Sequence, residues 1–219
     1  MMRLWFRRPA TSALALAACA FAGAASAQGA PQKSASGPAY TAADVQFMQG
    51  MIGHHAQAIV MATMCPSHGA SAQLALFCQK IIRSQRDEID LMQTWLRDRG
   101  ETVPDTGAAH GHDAMKMDMD MSKDMDMSGH QMLMPGMLTP AQLAELDRAR
   151  GTAFDRLFLT DMIQHHEGAL TMVAKLFDSP GAGQTPEIFG YATGVDNDQR
   201  AEIERMQGML TTITGSSSK

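Results

Sequence analysis

Apolar residues recur at helical spacing through four long stretches of the chain, and no stretch after residue 27 alternates as a half-buried strand would. The four predicted helices cover about residues 41–64, 71–99, 152–177 and 185–214. A shorter helix is predicted between the capping residue Thr139 and Arg150. Pro140 in its first turn and Gln142 at its third position are typical of a helix start. The pattern predicts an all-α protein.

The long helices repeat one pair of motifs. Residues 47–55 (Phe-Met-Gln-Gly-Met-Ile-Gly-His-His) align with residues 158–166 (Phe-Leu-Thr-Asp-Met-Ile-Gln-His-His) at an offset of 111. Residues 85–89 align with residues 199–203 at an offset of 114. Two helical hairpins with the same order of motifs indicate one unit used twice, which predicts a four-helix bundle.

The two hairpins, residues 41–100 and 139–214, are separated by residues 101–138, where Asp and Gly alternate with Met and His. Such a segment cannot bury enough apolar surface to order itself, so we expect a flexible loop. Its Met-x-Met spacing allows neighbouring thioethers to bind one Cu(I) ion, and its carboxylates attract cations. The candidate ligands in this loop are Met115, Met117, Met119, Met121, Met125 and Met127.

A second group of candidate ligands lies on the first and third long helices. In each copy of the repeat, a methionine precedes two adjacent histidines by three and four residues and shares their helix face. If these helices face each other, thioethers and imidazoles converge, a donor set that favours copper and suits Cu(I) and Ag(I). Surface histidines beside core methionines are the alternative. The candidates are Met51, His54, His55, Met162, His165 and His166, with Met61 and Met172 as either ligands or core residues.

Gln85 and Gln199 occupy the same position in the apolar stripes of the second and fourth long helices. A buried amide needs a partner, and a hydrogen bond to an inward histidine would orient that ring behind a metal. Alternatively, each amide lies at the edge of its stripe.

Glu88 and Glu202 raise another hypothesis, an iron or manganese carboxylate bundle. That class needs Glu-x-x-His on the other two helices, where this chain has Met-x-x-His.

The first 27 residues predict a secretory signal peptide. Three arginines among the first eight residues precede an apolar segment at residues 10–22, and a small-residue cleavage pattern ends at Ala27. A lipoprotein acylated at Cys19 is the alternative, but the apolar sequence that continues after this cysteine favours the soluble form. We therefore expect a periplasmic protein.

Charge and cysteine content narrow the function further. Cleavage would remove three of the 18 basic residues and none of the 23 acidic ones, so the formal charge would fall from −5 to −8. Such a chain is a poor partner for nucleic acid.

The remaining cysteines, Cys65 and Cys78, could form a disulfide, pack as thiols or bind metal. Nucleophile–base arrangements and phosphate-binding glycine loops are not evident, so we expect no enzyme.

At the two Met-x-x-His-His helices the chain resembles the family known as domain of unknown function 305. The family pattern combines Met-Ile-x-His-His, a small residue and Gln-x-x-Glu-Ile-x-x-Met. It occurs here at residues 51–55, Ala58 and 85–92, and again at residues 162–166, Ala169 and 199–206. The resemblance implies a ferritin-like bundle and, for some members, periplasmic copper binding and copper tolerance. Glu167 follows the second histidine pair where Ala56 follows the first, so the halves need not bind equally.

These features together predict a periplasmic protein that binds Cu(I), and also Ag(I) or Cu(II), for sequestration, buffering or handover in copper tolerance. The receiving partner would be a copper exporter or another periplasmic copper protein. A di-metal oxidoreductase and a structural or partner-binding bundle without metal are the alternatives. Oligomeric state and metal stoichiometry stay open.

Overall fold

The computed structural model describes residues 40–105 and 133–216, and these residues form five helices and no strand. The helices are α1 (Ala42–Thr63), α2 (Ala72–Asp98), α3 (Pro140–Arg148), α4 (Gly151–Asp178) and α5 (Pro186–Ser216). Their ends lie within two residues of the predicted ones, and the all-α prediction is confirmed. The predicted signal peptide and the loop methionines from Met115 to Met127 lie outside the described residues. Within the described part of the chain, no helix is long and apolar enough to cross a bilayer.

Local sequence fixes where the helices begin. The Thr41 hydroxyl accepts a hydrogen bond from the Asp44 backbone, and the Asp44 carboxylate accepts one from the Thr41 backbone, which completes a capping box. Thr139 and Gln142 form the same box at α3. The Asp44 carboxylate also accepts a 2.7 Å hydrogen bond from the Gly183 backbone. The start of α1 is thereby tied to the turn before α5.

The long helices pack as two hairpins, α1–α2 and α4–α5, which meet through α1 and α4. Their buried apolar side chains form two clusters. The first cluster contains Met51 and Ile89, and the second contains their repeat equivalents Met162 and Ile203. Equivalent residues therefore lie in opposite clusters, as expected when two copies of one hairpin pack around an approximate two-fold axis.

A disulfide joins Cys65 and Cys78, whose Cα atoms lie 6.6 Å apart across the turn between α1 and α2. Of the three alternatives that the sequence leaves open, the structure contains the disulfide. The two ends of the segment predicted as a loop also make defined contacts. Tyr40 donates to the Glu101 carboxylate at 2.8 Å, and residues 133–138 pack against α1 and α4.

Candidate metal centre

Four histidines lie in the interior where α1 crosses α4. The rings of His54 and His165 face each other with centroids 3.8 Å apart. His55 lies 6.5 Å from His54, and His166 lies 6.2 Å from His165. All four are at most 1% exposed. The four predicted histidine ligands thus form one continuous group, which we call the histidine row, with His54 and His165 as its inner pair.

The inner pair is neutral at physiological pH. Burial lowers the pKa of His54 to about 3 and lowers the pKa of His165 well below its ordinary value. The Pro135 carbonyl can only accept, so His54 donates from Nε2 over 3.0 Å and retains a lone pair on Nδ1. Among the described residues, the buried His165 Nε2 has no hydrogen-bond partner. Neutral imidazole is the form of histidine that binds metal ions.

The outer rings are held by carboxylates from α2 and α5. His55 Nε2 lies 2.5 Å from a Glu88 oxygen, and His166 Nε2 lies 2.8 Å from a Glu202 oxygen. Because an ionised carboxylate only accepts, each ring donates from Nε2. Each Nδ1 is buried and has no hydrogen-bond partner in the part of the chain that the structure describes. A carboxylate behind a histidine is the usual arrangement for orienting a metal-binding ring.

The two glutamines do not take this orienting position. Gln85 and Gln199 are buried as expected, but their side-chain oxygens have no hydrogen-bond partner within residues 40–105 and 133–216. The Nε2 atoms of the outer rings bond instead to Glu88 and Glu202, three residues further along each helix. A carboxylate is the stronger acceptor, because a charge-assisted hydrogen bond is roughly twice as strong as a neutral one. The predicted glutamine–histidine hydrogen bonds are thus absent from the described residues.

The motif methionines flank the row rather than meeting beside it. Met51 and Met162 are fully buried but belong to different apolar clusters. Met61 is fully buried in the second cluster, while Met172 is partly exposed at the edge of the first. Met61 therefore packs as a core residue does, and Met172 packs at the edge of the core. The assignment of these four thioethers as ligands stays a prediction.

A short segment covers the inner histidine pair. Residues 133–138, which we call the strap, cross between α1 and α4. The Pro135 carbonyl accepts the hydrogen bond from His54, and the Gln57 side chain makes two hydrogen bonds, of 2.7 and 3.0 Å, with the Leu138 backbone. The prediction of a flexible loop extends to residue 138, but the structure fixes its last residues against the site.

Glycines permit this close approach. A Cβ atom on Gly168 would lie 2.0 Å from the Pro135 carbonyl oxygen, so any larger residue in α4 would displace the strap. A Cβ on Gly50 would lie 3.3 Å from Met134 Sδ and 3.4 Å from Met172 Cε. These two methionines line one cavity of about 200 Å³. Met134 is therefore a thioether near the row, and the periodicity of the sequence alone does not identify it. The sequence signal that points to this residue is the Pro135-Gly136 turn before a buried leucine.

The donor set suits an ion that needs few ligands. Across the described ranges, no three His, Cys, Asp or Glu side chains lie close enough to share one metal ion. In the described structure a metal ion at the row would therefore have few ligands of these kinds, such as the facing imidazoles of His54 and His165. Imidazole nitrogens favour copper over the hard ions that carboxylates bind.

The fold and this centre define a duplicated helical hairpin built around buried histidines. The chain belongs to the DUF305 family, a domain of unknown function, whose model matches residues 44–210. A DUF305 fragment from Deinococcus radiodurans is 27% identical, with a TM-score of 0.62 over 80% of this chain and 99% of that chain. No curated protein sequence matches the chain significantly.

CopM is a second protein of similar structure. In its Cu(II)-bound form it is 28% identical, with a TM-score of 0.56 over 77% of this chain and 96% of that chain. The Cu(I)-bound form gives 27% identity and a TM-score of 0.54 over the same shares of the two chains. The predicted family and its helical fold are thereby confirmed.

Proposed function

We propose that this protein binds copper, principally as Cu(I), in the periplasm and sequesters it or passes it to another copper protein. The observation that carries the proposal is the histidine row: four buried imidazoles whose inner pair is neutral. Leaving a buried polar atom without a partner costs about 1–3 kcal/mol. The row contains three such nitrogens in the described structure, on His55, His165 and His166. Because no three of these side chains lie close enough to share one ion in the described residues, separate metal ions along the row would satisfy them.

Two further observations support copper over other metals. CopM, a protein of similar structure, has been crystallised with Cu(I) and with Cu(II). Thioethers flank the row, with Met51 and Met162 in the two apolar clusters and Met134 on the strap. Imidazole with thioether is a donor set for copper, and Ag(I) should bind by the same chemistry. The proposed role is binding and transfer, without catalysis.

The glutamates favour this proposal over a carboxylate-bridged iron or manganese centre. Such a centre needs both carboxylates to bind the metals directly. Here each glutamate bonds to the outer histidine of its own half, and Glu202 also pairs with Lys80 at 3.1 Å. Both carboxylates therefore act behind a ring.

Export and the methionine-rich segment complete the proposal. The signal-peptide pattern over residues 1–27 directs the chain to the periplasm, where copper tolerance proteins act. The methionines from Met115 to Met127 precede the strap in the chain. We propose that they collect Cu(I) in exchangeable sites and deliver it to the row.

The test is a Cu(I) titration of the purified protein with elemental analysis. Replacing His54 and His165 together by alanine should weaken the tight site by more than about 100-fold, the scale of losing groups that hold or orient a metal. His68 is the matched control, because it is also buried but bonds to Asp147 away from the row. His68→Gln should bind copper as the parent does.

A second arm separates the row from the loop. Deleting residues 106–132 and joining the ends with a short Gly-Ser linker should remove the weak sites and leave the tight one. Unchanged affinity in a folded His54→Ala/His165→Ala variant would overturn the proposed site. Iron or manganese in the purified protein, with no preference for copper, would overturn the proposed metal.

A further inference from the structure

An open cavity of about 630 Å³ lies between α2 and α5, next to one end of the histidine row. Glu88 lines this cavity and also binds His55. Its side chain is 19% exposed, whereas that of Glu202 at the other end is 3% exposed. The row is therefore connected to solvent through Glu88 but is closed at Glu202.

In the described structure, the repeat explains why the Glu88 end is open and the Glu202 end is not. The offset of 114 that aligns Glu88 with Glu202 also aligns Lys80 of α2 with Gly194 of α5. Lys80 covers Glu202 with a 3.1 Å ion pair. Gly194 lines the cavity beside Glu88 and has no side chain to do the same. A missing lysine thus leaves one carboxylate available to an incoming ion.

The cavity favours cations. Four carboxylates line it against one basic side chain, that of Arg99, which pairs with Glu187 at 3.3 Å. Tyr191 also lines it and is 92% buried, and its hydroxyl has no hydrogen-bond partner among the described residues. Burial and the nearby Glu88 carboxylate both raise the pKa of Tyr191, so the hydroxyl stays neutral. The Trp95 indole N–H, buried and likewise without a partner in the described ranges, can donate to a ligand oxygen.

We propose that this cavity is the loading site for hydrated Cu²⁺, which is bound by Glu88 and Asp198 beside the Tyr191 hydroxyl before it reaches His55. This inference rests on the proposed copper-binding function and concerns copper that arrives and stays as Cu(II), so the step needs no reductant. Carboxylate, hydroxyl and water oxygens suit an incoming hydrated ion, while imidazole suits copper inside the bundle. His55 uses one Glu88 oxygen, which leaves the other to hold an ion, and the unpartnered Nδ1 of His55 keeps the lone pair that can then bind it. Although four carboxylates line the cavity, no three carboxylates or histidines of the described residues lie close enough to chelate one ion, so the ion passes through instead of being stored.

Gly194→Lys tests the loading site directly. A Cβ on Gly194 would meet no described atom within 4 Å, so a larger residue fits. The new lysine reproduces the Lys80–Glu202 pair at Glu88. Trp95 lines the cavity and is the one tryptophan after residue 27, so Cu²⁺ entry should quench its fluorescence in stopped-flow mixing. We expect uptake about tenfold slower, the lower end of electrostatic effects on association rates, with an unchanged amount of copper bound at equilibrium.

Two variants provide matched controls. Gly194→Ala adds volume without charge and should load at the rate of the parent. Lys80→Gly uncovers Glu202 without changing the cavity and should not slow loading. Full copper capacity in Gly194→Lys with an unchanged rate would overturn the loading site and leave the proposed function intact. Equal slowing in Gly194→Ala would overturn the electrostatic explanation. Failure of the parent protein to bind copper at all would overturn the proposed function itself.

Discussion

The two hairpins carry the same histidine motif but close their ends of the row differently. Glu202 in the second hairpin is covered by Lys80 and is 3% exposed, whereas Glu88 in the first is 19% exposed beside Gly194. The motif itself therefore gives a symmetric set of imidazoles. Residues outside the motif decide which end of that set an ion can reach.

The hairpins also differ in how their helices are joined. Cys65 and Cys78 link α1 to α2 covalently. Under the repeat offsets, Leu176 and Ala192 take these two positions in the second hairpin, and both are buried in the first apolar cluster. Apolar packing thus takes the place in the second hairpin of the covalent bond in the first. Each contrast can be tested by substitution in the metal-free protein.

The largest effect is expected from removing the disulfide. Cys65→Ser with Cys78→Ser should lower the free energy of unfolding by about 3 kcal/mol, since the bond closes a loop of about 15 residues in the unfolded chain. Urea denaturation of the oxidised parent and the double variant measures this difference. Adding dithiothreitol should destabilise the parent by the same amount and leave the double variant unchanged. A parent protein insensitive to the reductant would contradict the assigned bond.

A smaller effect should separate the two glutamates. Glu202→Gln should cost about 2 kcal/mol, because a buried carboxylate loses charge-assisted hydrogen bonds to His166 and Lys80. Glu88→Gln should cost less than about 1 kcal/mol, because the Glu88 carboxylate is partly exposed and water compensates for part of the lost interaction. Thermal and urea unfolding of the two variants give the comparison. Equal losses would show that the two ends of the row are energetically alike.

The smallest effect is expected at Asp161, which occupies in the second copy of the repeat the position that Gly50 occupies in the first. Burial, and then repulsion from Glu145, raises the pKa of Asp161 to about 6 from an ordinary value of 3.8. A raised carboxyl pKa in the folded state gives stability that is complete below pH 3.8 and is lost as the pH rises through about 6. Asp161→Asn should therefore be about 1 kcal/mol more stable than the parent at pH 7. Its advantage should shrink steadily as the pH falls to 4.

Unfolding measured at several pH values tests this titration. Asp178→Asn is the control, because Asp178 is exposed on the same helix and its substitution should change stability little at any pH. A constant difference between Asp161→Asn and the parent from pH 4 to 7 would contradict a buried titrating carboxyl.

Helix positions and the repeat were predictable because they follow from local patterns. The capping boxes at Thr41 and Thr139 act within one turn of the chain, so the sequence alone locates the starts of α1 and α3. The internal repeat likewise predicts two equivalent hairpins without any knowledge of packing. The residue that orients His55 was less predictable. Gln85 and Glu88 lie within one turn of each other on α2, and only the packed bundle shows that the glutamate reaches His55.

What the sequence determined by itself is the helical class, the duplication and the identity of the two histidine pairs, because propensity, capping and periodicity act between near neighbours in the chain. The tertiary structure alone decided that His54 meets His165, that the strap covers them, and that Gly194 leaves Glu88 open to solvent. These contacts join residues far apart in the chain. Their geometry depends on how the helices cross and on how closely a glycine allows another backbone to approach, and both are set only when the two hairpins pack together.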